Sequence, residues 1–523
     1  MKQRESWKDI TGYVLFGISL FLLGVSLFLC GSSDIWYDEL FTMGMANQSL
    51  NKLVYITSQD VHPPLYYMLV KLALDIIGSP DRATQVIAAK LVSMIPFGLC
   101  LVYAMTIIRK HFGMLTAGLF SFLLMTMPNL PEYTVEVRMY GWSLFFILGQ
   151  LLHSYLLIGC QNKEVDSNKF YVNINVMAVT LYALATCYTH YFACVAAFCV
   201  FLFTLIVMKY KKSLYLRSLL CGGVFCGICY LPWVLRVVTH QVHQVKENYW
   251  IPPVSIRTLG GCVKYLCKPI LGNTILESVM AVLMFTVYII LLWDYFYQRR
   301  KQKQVWNEDD FLICGALGSM AGIVLFGIGA SLLLRPVFVY RYMMPAVGVF
   351  WLAFAVLCSK VPVRKGIRFL ILLGGLVVGV LNYKSFYGEE MWKRVQMTAA
   401  KESLESIQEK DVVIYNFDQM QAVASFYLPE KCQSFLWYGT PEQLIREMYP
   451  QNHALVEGTF SDEKGYENLR KIIAQAEGTV WFLGSGNARE EIIEKWKNQG
   501  IYAEEVSTIM VERYWVNLYT LTM

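Results

Sequence analysis

About eleven apolar runs, each of roughly the length that crosses a bilayer, succeed one another along this chain, and short basic clusters punctuate them. A chain patterned in this way has one solvent that suits it. Of its 523 residues 56% are hydrophobic and 16% charged, and the mean hydropathy is +0.42, more apolar surface than a water-soluble domain buries. The formal charge of +6 does not indicate nucleic acid, because the basic residues lie in short clusters between apolar runs, which is how cytoplasmic loops are marked. The 14 cysteines fall mostly inside apolar runs, as at Cys187, Cys194, Cys199, Cys221, Cys226 and Cys229, with no paired CxxC motifs spaced for zinc, and read as small core hydrophobes. Cys262, Cys267 and Cys432 are candidates for the outer side, where unpaired thiols are favoured over a disulfide.

Lys2, Arg4 and Lys8 precede the run Tyr13 to Cys30; the small-residue cleavage pattern is weak, so the run is read as an uncleaved first helix. Arg109-Lys110-His111, Lys209 to Lys212, Arg299-Arg300-Lys301 and Lys360 mark inside loops. If Leu65 to Ile77 were a full span, the Arg109 cluster would fall outside and the charge pattern would break at every later loop. That short stretch, which contains Lys71 and Asp75, is therefore expected to lie along the outer face, with Tyr66 and Tyr67 at headgroup level. The fold class expected is an α-helical polytopic membrane protein of about 11 transmembrane helices, N-terminus cytoplasmic, with its spans within residues 1–382 and an outer first loop over 31–85. From Tyr383 charges become dense, and short runs such as Val412-Val413-Ile414-Tyr415 and Thr479 to Leu483 alternate with amphipathic stretches, so 383–523 is expected to be a small extracytoplasmic α/β domain. Gly484-Ser485-Gly486 lacks the spacing of GxGxxG and reads as a plain turn.

The chemistry is concentrated in the outer loops. Asp34-Ile35-Trp36-Tyr37-Asp38-Glu39 follows the first span directly, and carboxylates at a membrane interface are costly unless solvated, paired or useful. One carboxylate can accept the proton of an incoming hydroxyl, and a second can orient the first or hold a divalent metal. The plain alternative is a solvated loop end. Asp60-Val61-His62-Pro63-Pro64 supplies a carboxylate and an imidazole two positions apart, able to bind metal or phosphate or simply to start a helix. Glu136, Arg138 and Tyr140 sit where one span ends and the next begins; the planar guanidinium there suits a phosphate, or else snorkels and pairs with Glu136. His190, in the turn Tyr188-Thr189-His190-Tyr191, and Arg341-Tyr342 occupy further outer edges.

Taken together, Trp36-Tyr37-Asp38-Glu39, the stretch Asp60 to Tyr67, Glu136-Val137-Arg138-Met139-Tyr140 and Arg341-Tyr342 resemble the GT-C class of membrane glycosyltransferases. The nearest likeness is to bacterial relatives of the protein O-mannosyltransferases and of the lipid A aminoarabinose transferase, often called Rgt-like or dolichyl-phosphate-mannose mannosyltransferase-like, and it covers Met1 to about Leu381. The resemblance implies a cell-envelope enzyme of the cytoplasmic membrane that takes a sugar from a polyprenyl-phosphate donor on the outer face. It implies Asp38 as the base, with Glu39 supporting it. Asp60 and His62 would shape the donor site or hold a divalent cation, Mg or Mn, which the resemblance leaves open at Asp38, Asp60 and His62. Arg138 would steady the leaving lipid phosphate, and Glu136, Tyr140, His190, Arg341 and Tyr342 would contact phosphate or sugar. Two departures bear on the acceptor: Leu65-Tyr66-Tyr67 stands where protein mannosyltransferases tend to have Gly and Lys, and the C-terminal region has no lectin-like repeat. The acceptor, whether glycan, lipid or protein, is left open. A transporter or flippase of lipid-linked glycans is the alternative, and it would call for inverted repeats or helices broken at mid-membrane.

Overall fold

The computed structural model describes residues 2–160, 169–247, 251–361, 365–429, 431–437, 448, 454–455 and 463–523. Among them, nine helices are long and apolar enough to cross a membrane, from Trp7–Cys30 to Leu370–Leu404. Two shorter apolar helices, Met114–Thr126 and Val172–Cys187, lie among the described residues as well. The chain packs as two units: Met1–Gly31, Thr57–Ala73 and Ala88–Tyr387 form the first, and Ser32–Ile56, Leu74–Ile87 and Gly388–Met523 the second.

In the first unit, helix Glu308–Leu333 opens on three consecutive acids, and Asn307 caps it by accepting the Asp309 and Asp310 amides at 3.1 and 3.2 Å. Each acid takes a different basic partner. Lys211 Nζ lies 2.8 Å from Glu308 Oε1, Arg299 Nη2 lies 2.8 Å from Asp310 Oδ2, and Lys360 pairs with Asp309. The Tyr295 hydroxyl donates to the other Asp310 oxygen at 3.0 Å, and Lys360 stands 5.3 Å from the Phe112 ring centre, beside Arg109 to His111. Basic clusters scattered along the sequence therefore meet at one end of the helical bundle, as a common side of the membrane requires.

Glycine lets the first helix, Lys2–Cys30, touch Met114–Thr126 along its backbone. A Cβ on Gly12 would overlap the Met114 carbonyl, and one on Gly118 would overlap the Gly12 carbonyl. Helix Leu65–Ile77 has the bounds expected of the short outer stretch. Its Tyr66 and Tyr67, expected at headgroup level, are instead wholly buried, and the Tyr66 hydroxyl shares a 2.6 Å hydrogen bond with Ser93 Oγ. The phenol finds a protein partner, so it does not need the interface for its polar end.

The sheet of the second unit has the order β3-β2-β1-β4-β6-β5. Strands β1 (Val412–Tyr415), β2 (Gln433–Leu436), β3 (Ala454–Leu455) and β4 (Val480–Ser485) are parallel, while β5 (Tyr502–Val511) and β6 (Tyr514–Thr522) form an antiparallel hairpin whose β6 pairs with β4. Alternation along the strands sorts the faces. Val412, Ile414, Val480 and Phe482 pack with Tyr466, Leu469, Ile492 and Trp496 of the helices Glu463–Gln475 and Ala488–Lys497. Strand order reverses between β1 and β4, the place where open α/β sheets bind ligands. Here it is closed by a double hydrogen bond, Asn416 Nδ2 to Ser485 O at 2.7 Å and Ser485 N–H to Asn416 Oδ1 at 3.1 Å, in keeping with Gly484-Ser485-Gly486 as a plain turn.

The glycine crossing predicts that Gly118→Leu lowers the melting temperature in detergent, at an overpacking cost of about 1–3 kcal/mol. Gly17→Leu on the same first helix, where an added Cβ meets nothing within 4 Å, leaves melting unchanged or raises it.

Candidate active site

The loop between helices Met114–Thr126 and Tyr140–Gly159 carries Glu136 and Arg138, and its course is set by local bonds. The Thr134 hydroxyl donates to Ser26 Oγ at 2.8 Å, the Thr134 carbonyl accepts the Cys30 thiol at 3.7 Å, and the Asn129 amide donates to the Tyr265 carbonyl at 2.6 Å. Arg138 is thereby held 3% exposed, its guanidinium carbon 5.9 Å from the Tyr140 ring centre; Tyr140 in turn packs on Tyr133 at 4.8 Å.

His190 sits at the centre of this end of the bundle. In an extended backbone it caps helix Tyr191–Tyr210, its Nδ1 accepting the Phe192 amide at 3.2 Å. Its ring lies 5.7 Å from His62, 5.5 Å from Tyr140 and 5.2 Å from Tyr342. His62 is brought there because the Leu65 amide donates to the Tyr188 carbonyl at 2.9 Å, which ties the Pro63-Pro64 turn to the turn before His190. His62 Nδ1 lies 3.3 Å from Asp60 Oδ2. Tyr342 stands on the short turn Tyr340–Met343 that precedes helix Met344–Lys360 and packs on Phe192 at 4.6 Å. Burial, with His62, Arg138 and Arg341 close by, holds His190 well below the usual histidine range, so its imidazole is neutral.

Four stretches far apart in sequence thus deliver Asp60, His62, Arg138, Tyr140, His190, Arg341 and Tyr342 to one end of the first unit, and Glu136 lies in the same loop as Arg138. It is the end opposite the Glu308 to Asp310 triplet. Helix Tyr140–Gly159 joins the two ends, with Tyr140 here and, about 22 Å along its axis, Tyr155 there, whose hydroxyl is 3.5 Å from Asp309 Oδ1. Two arginines and two imidazoles gathered in a place poor in water suit an anion with a planar or tetrahedral oxygen array, as a phosphate has.

Asp38 and Glu39 belong to the second unit, in the first turn of helix Tyr37–Ala46. Glu39 is 4% exposed and its Oε2 accepts the Trp36 amide at 3.0 Å, closing a capping box. That oxygen helps start the helix. Asp38 is half-buried, and its carbonyl accepts the Thr42 hydroxyl at 3.1 Å. The preceding loop is held by residues that no local pattern identifies. The Tyr427 hydroxyl accepts the Ile35 amide at 3.0 Å and donates to the Ser33 carbonyl at 3.4 Å; Lys401 Nζ lies 2.5 Å from Ser33 Oγ and 3.5 Å from Asp34 Oδ1. Tyr427 stands 392 residues from Ile35 in sequence, so only the fold reveals it.

Among the described residues no group of three or more His, Cys, Asp or Glu side chains gathers to hold a metal. The divalent cation left open at Asp38, Asp60 and His62 therefore finds no ready set of three such ligands among the described residues. All fourteen cysteines are free thiols, Cys262, Cys267 and Cys432 among them.

No protein-family model and no curated protein sequence matches this chain. Solved structures do match. ArnT from Cupriavidus metallidurans in the apo state aligns over 97% of both chains at 12% identity with a TM-score of 0.58. The same protein bound to undecaprenyl phosphate aligns over 97% of both chains at 12% identity with a TM-score of 0.60. At that identity the likeness is one of fold, and the GT-C-like fold expected from the motifs is the fold observed: a multi-pass membrane protein with a small C-terminal sheet.

Because the folded-state value of His190 lies below its ordinary 6.5, the stability it contributes is complete above that pH and is lost as the pH falls below it. The acid-side drop in melting temperature is predicted to be shallower in His190→Asn, which keeps an N-cap acceptor without the titration. His190→Ala, measured above the histidine range, loses the cap at a cost of about 1 kcal/mol.

Proposed function

We propose that this protein is a glycosyltransferase that moves a sugar from a polyprenyl-phosphate carrier to an acceptor hydroxyl at the outer face of the cytoplasmic membrane. The observation that carries the reading is the convergence of Arg138 and Arg341 with His62 around the neutral His190 at one end of the bundle. The ArnT fold supports it, since that protein has been solved with undecaprenyl phosphate bound. A carrier lipid also answers a problem of supply: activated nucleotide sugars are made inside, and a phosphate on an isoprenoid tail brings the sugar to the other face.

The acceptor oxygen attacks the anomeric carbon as the bond from that carbon to the phosphate oxygen breaks, and the bonding pair leaves with the lipid phosphate. Asp38 takes the acceptor hydroxyl proton as general base. Arg138 and Arg341 stabilise the charge that grows on the phosphate, where a guanidinium fork is worth more than an ammonium because two N–H groups meet two oxygens. Neutral His190 donates or accepts a hydrogen bond without adding a third fixed charge, and Asp60 orients His62. Tyr140, Tyr342 and Glu136 are proposed to line the sugar and phosphate. Glu39 acts through the helix start that presents Asp38.

The test is transfer of a labelled sugar from polyprenyl phosphate in membranes holding matched amounts of wild type, Asp38→Asn or Arg138→Gln. Each variant is expected to lose roughly a hundredfold or more in turnover. Unchanged transfer in Asp38→Asn removes it as the base. Absence of transfer by the wild type from every polyprenyl-phosphate sugar tried contradicts the enzyme reading and turns attention to a transporter of lipid-linked glycans.

A further inference from the structure

The hairpin that ends the chain turns on two residues, Glu512 and Arg513, between the paired Val511 and Tyr514. Glu512 takes φ 61, the left-handed region in which glycine is the favoured residue and an L side chain is held against its preference. What its carboxylate does there is informative. Glu512 Oε1 accepts the Tyr37 amide at 3.5 Å, in the first turn of the Asp38 helix, and both oxygens accept from the Gln419 amide at 2.9 and 3.1 Å. First-turn amides have no acceptor within their own helix, and an anion at that terminus is favoured by the helix dipole. Arg513 sets its guanidinium carbon 5.5 Å from the Trp36 ring centre. Phe417, preceding the helix that bears Gln419, packs on Tyr514 at 5.4 Å and steadies the turn from behind.

We propose that Glu512 is a positioning residue for Asp38: the tip of the C-terminal hairpin reaches the N-terminus of helix Tyr37–Ala46 and sets where the first-loop carboxylate stands. Tyr427 and Lys401 hold the preceding residues, so the C-terminal sheet and its flanking helices fix the whole segment from Ser33 to Asp38. Burial raises the Glu512 carboxyl above the usual range despite its hydrogen bonds, and the charge of Asp38 is among the causes, which agrees with the two carboxylates being neighbours. The catalytic consequence rests on the reading of Asp38 as the base; the positioning itself does not.

Two measurements on the purified full chain separate the ideas. Hydrogen exchange over residues 33–42 is compared in wild type, Glu512→Gly, Glu512→Gln and Gln419→Met. Glu512→Gly relaxes the backbone while deleting the carboxylate, so it is expected to fold, yet to speed exchange in this segment roughly five- to tenfold as one anchoring bond is lost. Glu512→Gln, which keeps an acceptor oxygen, restores most of the protection, and Gln419→Met lies between. In the sugar-transfer assay Glu512→Gly lowers kcat about tenfold with the donor KM unchanged, and Glu512→Gln recovers it. Unaltered exchange in Glu512→Gly overturns the proposal whatever the transfer assay shows. Faster exchange with kcat intact overturns the claim that this anchor matters to Asp38. If the wild type transfers no sugar, the enzyme reading fails and the exchange result still decides the anchor.

Discussion

Hydrocarbon tolerates charge at its faces and almost nowhere between them, and the first unit is organised by that constraint. Its ionic groups gather at two ends of the bundle. At one end Glu308, Asp309 and Asp310 take Lys211, Lys360 and Arg299 and close the helices together with bonds that have no chemistry left to offer. At the other, Arg138 and Arg341 stand near His62 and the neutral His190, with Asp60 beside His62. Between the ends the polar groups satisfy one another: the Tyr103 hydroxyl lies 3.0 Å from His153 Nε2, and His153 Nδ1 lies 2.8 Å from Asn175 Oδ1. An end of the bundle that collects arginines at the edge of a membrane is suited to an anionic headgroup on a long apolar tail.

Much of this was legible before the fold was known, because the membrane writes its demands plainly into sequence. Span length and the sign of loop charges predicted which clusters share a side, and the meeting of three such clusters at one acid triplet bears that out. The spacing of Asp60-x-His62-Pro63-Pro64 pointed to a special turn, and the structure brings His62 to His190. Less legible were roles that depend on direction. Glu39 reads as a support for Asp38, and the structure adds that it starts the helix, since a glutamate three residues after the cap position satisfies the Trp36 amide. Tyr66 and Tyr67 read as interfacial, yet both are buried in protein, where Ser93 offers the Tyr66 phenol a bond that headgroups would otherwise supply.

Least legible was the partner of the first loop. A chain divided by composition falls into a membrane part and a soluble part, whereas packing places Ser32–Ile56 and Leu74–Ile87 in the same unit as Gly388–Met523. Tyr427 and Glu512 carry no motif and lie hundreds of residues from the amides they serve. Their only local sign is a glutamate where a tight hairpin ordinarily takes glycine. The C-terminal sheet and its flanking helices, through Tyr427 and Glu512, support the Asp38 segment.

The central claim is that the cationic end of the bundle reads the phosphate of a polyprenyl lipid. Native mass spectrometry of the purified protein offered undecaprenyl phosphate and undecaprenol together tests it most directly. The account predicts that the wild type retains the phosphate lipid in preference to the alcohol, and that the preference disappears in Arg138→Gln with Arg341→Gln. Equal retention of both lipids by the wild type, or a preference that survives loss of both arginines, would contradict it.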